Sequence, residues 1–263
     1  MSSFFRTYAD PGQSLQQPFD VAVVMPTLLR PSLAQALCSV FAQDFRGRIQ
    51  ILIGVDVPLG DPGLIDKICA ARPSHCAVQL FYPGYSTSVR HGGAYPSQDG
   101  GVLRYLLSLL ANSPLIAYLD DDNWWHPSHL TLVVQAIQAV DYAFTQRWFV
   151  HPVTGRIVAL DEWESLGPGR GIYAEKFGGF IDPNCLMIDR RKCQSVLPYW
   201  VSPVPGDHRG MGADRAVFAA LARNFTGFRL DGPTVYYRMN PDDVMHAERM
   251  KVMSIVYEEA GRS

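Results

Sequence analysis

Four short apolar runs, each closed by a proline or an aspartate, alternate with helical patterns over the first 140 residues. The runs are Val21–Met25, Ile49–Val55, Val78–Tyr82 and Leu115–Leu119. Continuous apolar runs of this length are typical of strands that are buried on both faces. The segments after them predict helices, namely Pro31–Gln43, Pro62–Ala71, Val102–Ala111 and Pro127–Val140. This alternation predicts an α/β fold with a doubly wound, mostly parallel sheet.

The alternation ends after residue 140, and a mixed extension of the same sheet is expected there. The segments Tyr142–Val150 and Arg156–Leu160 predict a hairpin. Further strands are predicted at Cys185–Asp189 and Val235–Arg238, and helices at Ala213–Asn224 and Asp242–Ala260. Residues 1–18 are polar and are predicted to form a flexible lead-in. A single domain is therefore expected over residues 19–263, with halves at 19–150 and 151–263.

Composition excludes several classes of function. Of 263 residues, 48% are hydrophobic and 18% are charged, which is typical of a globular chain that buries a sizeable core. The formal net charge of −2 provides no basic field for nucleic acid. A small anionic ligand that is held by a few local groups stays compatible with this charge.

Cysteine usage and hydropathy bear on the compartment. The five cysteines are odd in number and contain no C-x-x-C pair, which disfavours a disulfide framework and favours a reducing compartment. No run approaches the roughly 18 apolar residues of a membrane span. The sequence therefore predicts a cytoplasmic protein without a membrane span. Peripheral attachment to a membrane, through a partner or a lipid-linked substrate, stays open.

Three consecutive aspartates, Asp120, Asp121 and Asp122, follow the fourth apolar run. A buried strand that ends in adjacent carboxylates brings like charges together, and protonation or a bound cation must relieve their repulsion. A hard divalent ion that is shared with phosphate oxygens relieves it. Helix capping is the alternative, because Asp122 and Asn123 precede the helix that is predicted from Pro127. Capping requires one such side chain, so the triplet favours a metal site.

Two other predicted strands also end in polar residues. Thr27 closes the first run and Asp56 follows the second. Ligands of open α/β sheets bind beyond the carboxyl ends of the strands, where these residues are expected to meet the aspartate triplet. Asp56 is alternatively a turn residue, although its position allows it to accept hydrogen bonds from a base or a ribose.

Several segments in order resemble the family 2 glycosyltransferases. They are Val23–Pro31 with Ser39–Gln43 behind it, Tyr118–Pro127, Gly212–Ala222 and Tyr237–Asn240. The first resembles the opening of the family, the second is similar to its D-x-D region, and the third resembles the segment with the catalytic base. Each motif is short, and their order over residues 20–240 makes the resemblance specific.

The resemblance implies a GT-A fold and an inverting transfer of sugar from a nucleotide-sugar donor, usually a UDP-sugar. The acceptor is a hydroxyl on a carbohydrate, a lipid-linked molecule or a small molecule. By this resemblance, Asp214 is the general base, and Asp122 binds Mn²⁺ or Mg²⁺ with the diphosphate. His246 is a candidate for a further metal ligand. Donor binding falls to Pro26, Thr27, Arg30, Asp56, Arg104, Asp120 and Asp121, with Asp120 or Asp121 at the ribose.

Two residues depart from the family pattern. Ala213 replaces the acidic residue that usually precedes the base, so Asp207 is an alternative base and Asp214 is alternatively a helix N-cap. Leu29 replaces a polar residue in the first loop, which implies a different contact with the donor there.

Two tryptophans are candidates for the acceptor site. Trp124 offers an aromatic face on which a sugar can stack, and Trp163 lies in the variable region where an acceptor is expected. The glycine-rich segment Gly167–Gly171 follows no predicted strand, so it indicates a mobile loop and a candidate lid rather than a phosphate cradle.

Two alternative functions remain. A catalytically silent protein of the same fold that binds nucleotide-sugars or acts as a scaffold is motivated by Ala213. A nucleotidyltransferase is disfavoured, because the loop after the first strand has one arginine, Arg30, and no glycine.

Overall fold

The computed structural model describes residues 3–96, 100–202, 212–243 and 245–253. The strands in these ranges are β1 Phe4–Tyr8, β2 Val21–Thr27, β3 Ile49–Val55, β4 Cys76–Tyr82, β5 Leu115–Tyr118, β6 Trp124–Trp125, β7 Tyr142–Val150, β8 Ile157–Leu160, β9 Gly167–Pro168, β10 Gly179–Phe180, β11 Leu186–Asp189 and β12 Gly227–Arg238. The helices are α1 Leu33–Phe41, α2 Gly63–Cys69, α3 Gly101–Leu110, α4 His129–Ala136, α5 Ala174–Phe177, α6 Arg190–Cys193, α7 Ala213–Asn224 and α8 His246–Met253. Short 3₁₀ segments cover Val89–His91, Ile137–Ala139, Pro183–Cys185 and Gln194–Trp200.

The first half of the chain forms the parallel centre of a large sheet. Strands β4, β3, β2 and β5 lie side by side in this order and are all parallel. Every residue of β2, β3 and β5 is buried, because helices cover both faces of such a sheet. The strands and helices that the apolar runs predict over residues 19–140 are confirmed, with ends that shift by a few residues.

The second half extends the sheet with mixed strand directions. Strand β11 pairs antiparallel with both β5 and β7, and β12 runs parallel to β7. The predicted hairpin of β7 and β8 is present. Strand β6 was not predicted; this short strand pairs with β12, next to the aspartate triplet. The sheet therefore connects both halves of the chain.

The N-terminal segment differs from its prediction as a flexible lead-in. Phe4–Tyr8 forms β1, which pairs antiparallel with β4 over five positions at the edge of the sheet. The side chains of this strand are largely exposed, so they give no apolar pattern to read from the sequence. Backbone hydrogen bonds to β4 fix this segment, together with the half-buried Phe4 and Tyr8, which pack against the core.

The core lies on both sides of the sheet. Leu33 and Leu37 of α1 and Leu103 and Leu107 of α3 are fully buried against the strands.

All five cysteines are free, and four of them are buried. Across the described ranges, no helix has the length and apolar character that crossing a bilayer requires.

Candidate functional site

The polar residues that were predicted at strand ends meet at one edge of the sheet. Strand β2 lies between β3 and β5, and all three are parallel. Thr27 ends β2, Asp56 follows β3, and the aspartate triplet follows β5. Because parallel neighbours end at the same edge, the topology brings these residues together.

Asp121 is turned into the protein and is 1% exposed. Its Oδ2 accepts hydrogen bonds from Thr27 Oγ1 at 2.7 Å and from the Leu28 N–H at 3.1 Å. Its Oδ1 accepts one from Arg30 Nε at 3.0 Å, within an ion pair. Both oxygens thus have partners within the protein, and Asp121 fixes the loop after β2. Its contact with a ribose stays a prediction.

This loop between β2 and α1 is held in an unusual backbone conformation. Leu29 has a φ of 60°, although it is not glycine, and its side chain is buried. Its N–H donates to Thr27 Oγ1 at 2.8 Å. A Cβ on Gly60 would lie 1.9 Å from the Leu29 carbonyl oxygen, so only glycine permits this approach. Because such a conformation persists only where its surroundings impose it, the loop is held in a fixed position beside the aspartate triplet.

Asp120 lines a cleft, and its side chain is 26% exposed. Its carboxylate pairs with Arg104 of α3, whose guanidinium lies 5.2 Å from the centre of the Trp200 ring. Asn184 holds it from another side: Nδ2 donates to Asp120 Oδ2 at 2.9 Å, and Oδ1 accepts the Asp120 N–H at 2.7 Å. The sequence predicted Arg104 at this site but not Asn184.

Asp122 differs from Asp121 in its exposure, since 26% of its side chain reaches solvent. Arg30 Nη2 lies 3.1 Å from its Oδ2. Burial raises the pKa of Asp122 to about 7; Arg30 opposes this, and the charges of Asp120 and Asp121 add to it. A crowded carboxylate of this kind favours a divalent cation as partner.

A metal at Asp122 would draw on few protein ligands. The described part of the chain contains no group of three or more His, Cys, Asp or Glu side chains that could hold a metal ion. Mg²⁺ is commonly bound by one or two carboxylates together with substrate phosphates and water. The residues present fit that mode of binding, rather than a cage built entirely from protein.

Asp56 connects the end of β3 to the loop after β4. It is 8% exposed, and its Oδ1 accepts hydrogen bonds from Ser86 Oγ at 2.8 Å and from the Thr87 N–H at 3.2 Å. Its own N–H donates to the Thr27 carbonyl at 3.0 Å. Its contact with a base or a ribose stays a prediction, as do contacts of the buried Pro26 and Thr27 with a donor.

A cleft of about 140 Å³ lies between the two halves of the chain. Arg104 and Asp120 line it from the first half, and Asp182, Asp214 and Tyr237 line it from the second. Asp214 is the second residue of α7, and its Oδ1 accepts the Arg215 N–H at 2.8 Å. Burial raises the pKa of Asp214. The predicted base and a carboxylate of the triplet thus line one cleft.

A larger groove of about 700 Å³ lies at the opposite end of the strands. It includes Leu115, the first residue of β5, and Asp189, the last residue of the antiparallel β11. Ligands of open α/β sheets bind beyond the carboxyl ends of the parallel strands. Topology therefore favours the smaller cleft as the functional site, although the groove is larger.

Five residues form a buried ionic cluster: Arg147 of β7, and Asp161, Glu164, Asp182 and Arg249 of the second half. Arg147 is 1% exposed and binds Asp161 and Glu164 at 2.8 Å each, and also Asp182. Arg249 of α8 binds both oxygens of Glu164, at 2.7 and 2.9 Å. Because Asp182 also lines the cleft, the cluster reaches the candidate site. The sequence does not reveal this cluster, since no local spacing pairs these residues.

Both tryptophans that were predicted for the acceptor site are half-buried and stack within the protein. Trp124 lies 5.4 Å from the Tyr236 ring, nearly parallel to it, and Trp163 lies 5.4 Å from the Phe149 ring. Their contact with an acceptor stays a prediction. Gly167 and Pro168 of the predicted lid form β9, which pairs with β10.

Two further predicted residues keep the status of predictions. His246 is the first residue of α8 and is half-buried, and its role as a metal ligand stays a prediction. Asp207, the alternative base, lies outside the described residues.

Solved glycosyltransferases share this fold at low sequence identity. Residues 1–349 of S. aureus TarS match with a TM-score of 0.59 and 14% identity, over 83% of this chain and 60% of that one. The same TarS fragment in complex with UDP-GlcNAc matches with a TM-score of 0.57 and 12% identity, over 89% and 65%. Mannosyltransferase PcManGT from Pyrobaculum calidifontis, in complex with GDP-Man and Mn²⁺, matches with 0.55 and 13%, over 93% and 62%.

The chain therefore has the fold of these glycosyltransferases and spans less than two thirds of each of the three matched chains. No family model matches the chain, and no curated protein matches it. Membership in family 2 accordingly stays a prediction.

Proposed function

We propose that this chain is a glycosyltransferase that moves a sugar from a nucleotide-sugar, preferentially a UDP-sugar, to a hydroxyl acceptor with inversion. The observation that carries the proposal is the cleft that Asp120 and Asp214 line together. Such a transfer needs a donor site that stabilises a departing nucleoside diphosphate and, nearby, a base for the acceptor. The fold shared with TarS and PcManGT supports the same function.

The donor side rests on Asp122. Its carboxylate is partly exposed beside Arg30, and the charges of the neighbouring Asp120 and Asp121 make a second positive charge favourable there. Asp122 would hold Mn²⁺ or Mg²⁺ there, and the cation would supply positive charge to the departing diphosphate. Asp120 and Arg104 would orient the nucleotide beside it.

The acceptor side rests on Asp214. Inversion requires one base that removes the proton of the acceptor hydroxyl as its oxygen attacks the sugar. A base works best with a pKa near the working pH, and burial shifts the pKa of Asp214 upward from its ordinary value. The backbone N–H of its neighbour Arg215 anchors the carboxylate through Oδ1. The acceptor is a carbohydrate, lipid-linked or small-molecule hydroxyl.

Titration of UDP in the presence and absence of Mn²⁺, followed by calorimetry, tests donor binding, with GDP as the competing nucleotide. We expect binding that depends on Mn²⁺ and a loss of about 100-fold or more in Asp122→Asn. Asp231→Asn changes an exposed aspartate of β12 and is the matched control. Failure of the wild-type chain to bind any nucleoside diphosphate with metal would contradict the proposal.

Turnover separates an enzyme from a catalytically silent binding protein, the alternative that Ala213 motivates. Nucleotide-sugars are incubated with a panel of acceptors, and release of the nucleoside diphosphate is measured. We expect Asp214→Asn to bind UDP like the wild type and to lose about 100-fold or more in turnover. Donor binding without hydrolysis or transfer by the wild type would favour the silent protein instead.

A further inference from the structure

Asn184 connects two carboxylates of the cleft, and no motif of the sequence marks it. It is 1% exposed and lies in the 3₁₀ turn Pro183–Cys185. Its Nδ2 donates both to Asp120 Oδ2 at 2.9 Å and to Asp182 Oδ1 at 2.7 Å. Its Oδ1 accepts the Asp120 N–H at 2.7 Å. One amide therefore grips the backbone and the side chain of Asp120 at once.

The backbone of Asn184 is fixed just as firmly. Its N–H donates to Asp182 Oδ1 at 2.9 Å, and its carbonyl accepts Trp125 Nε1 at 2.9 Å. Asp182 is in turn held by Arg147 of the buried ionic cluster. The Asn184 amide thus connects Asp120, at the end of β5, to the buried ionic cluster through Asp182.

The chemistry of the side chain suits this place. An amide offers two N–H donors and one acceptor without net charge. Asp120 and Asp182 need donors, and the Asp120 N–H needs an acceptor, so only one orientation of the amide satisfies all three. A carboxylate here would add a third negative charge between the other two, and an apolar side chain would leave buried polar groups without partners.

We propose that Asn184 is a positioning residue for donor binding, which holds Asp120 in its place in the cleft beside Arg104. The proposal rests on the proposed function, in which Asp120 orients the nucleotide. Asn184 acts through Asp120 and contributes nothing to donor binding once Asp120 is changed.

A double-mutant cycle tests this dependence. Mn²⁺-dependent UDP affinity is measured for the wild type, Asn184→Ala, Asp120→Asn and the double variant. We expect Asn184→Ala to weaken binding by about tenfold, as is usual for a partner that orients a ligand-binding group. The double variant should bind as Asp120→Asn does, because residues that act as one unit are not additive. Thermal melts confirm that each variant is folded.

Two further variants complete the test. Asn224→Ala removes an amide at the end of α7, whose Nδ2 donates to the Ala220 carbonyl, and should bind UDP like the wild type. Asn184→Ser, which keeps a single donor, replaces Asn184→Ala if that variant does not fold. Unchanged affinity in a folded Asn184 variant, or additive losses in the double variant, would overturn the positioning role alone. Absence of UDP binding by the wild type would overturn the proposed function together with it.

Discussion

The acids at the strand ends and the buried ionic cluster around Arg147 use charge in different ways. Asp120 and Asp122, at the rim of the site, keep about a quarter of their side chains exposed. Asp122 pairs with the partly exposed Arg30, and Asp120 pairs with the buried Arg104. The arginines of the cluster and their main partners are almost fully buried. A charge near solvent can exchange its partner for a ligand at little cost, whereas a buried charge cannot. The first region is therefore suited to binding and the second to support.

The two regions meet at the cleft, where Asp182 belongs to the cluster and faces Asp120 through Asn184. Burial raises the pKa of Asp182 and Arg147 opposes this, so the carboxylate depends on its arginine. Changes in the two regions should accordingly differ in kind: changes to the cluster should reduce stability, and changes to the rim should reduce binding.

Loss of Arg147 is the strongest way to test this difference. Arg147→Ala leaves three buried carboxylates without their shared partner, and we expect the free energy of unfolding to fall by about 3–5 kcal/mol. Urea unfolding measures it. Arg191→Ala is the control, because that side chain is 70% exposed in its pair with Asp189 and its loss should cost far less stability. Similar losses of unfolding free energy in both variants would contradict the distinction between the buried cluster and exposed charges.

Asp121 and Asp122 sharpen the comparison within the triplet. Asp121→Ala removes an acceptor of hydrogen bonds from Thr27, Leu28 and Arg30, and should lower the free energy of unfolding by roughly 2–3 kcal/mol. Asp122→Ala should change it by less than about 1 kcal/mol. Chemical denaturation of both variants distinguishes them. A larger loss in Asp122→Ala would reverse their assigned roles.

His129 shows how the first half buries a polar group without charge. Burial lowers the pKa of His129 to about 3, and its Nδ1 lies 2.7 Å from Thr234 Oγ1. Below pH ~6.5 the unfolded chain binds a proton that the folded chain excludes, so stability falls as the pH drops from ~6.5 toward 3. The contribution is at most about 1.4 kcal/mol per pH unit.

Denaturation across this pH range measures that contribution. The slope of stability against pH should be smaller in His129→Asn, which does not titrate, and the two proteins should have equal slopes above pH ~7. Identical slopes at low pH would mean that His129 takes up its proton in the folded state.

The smallest effect is expected for an exposed pair. Arg6 of β1 binds Asp66 at 3.1 Å, and the two side chains are 44% and 50% exposed. Arg6→Ala should cost less than about 1 kcal/mol, and the difference should shrink in high salt because solvent ions screen the pair. Thermal melts at two ionic strengths check this. A loss of stability as large as that of Arg147→Ala would show that exposure does not determine how much an ion pair contributes to stability.

The sequence predicts the first half of this fold well for a physical reason. In a parallel sheet that is covered on both faces, each strand is a continuous run of apolar residues, and the carboxyl ends of the strands lie at one edge. Residues such as Asp120 and Asp56 can therefore be assigned to that edge from the residue pattern alone. The role of Asp214 as a base is predicted only from the family resemblance, since a single aspartate at the start of a helix is also a common N-cap.

What the sequence does not disclose is which polar groups meet across distant segments. Asn184 and Arg147 have no local signal: Asp120 lies 64 positions from Asn184, and the carboxylates that Arg147 binds lie 14 to 35 positions away. Asp121 and Asp122 are adjacent and chemically identical, yet one is buried and the other is partly exposed. The pleat of the strand and the path of the loop decide which aspartate faces inward. Neither the pleat nor the loop path can be predicted from the local residue pattern.

Strand β1 has a consequence for how this chain is handled. Its five residues occupy the outer row of backbone donors and acceptors on β4. Removing these residues would expose that row of backbone groups in a sheet with apolar strands behind it. Exposed rows of this kind recruit other polypeptides, so a chain shortened past Tyr8 should self-associate even though its cleft is untouched.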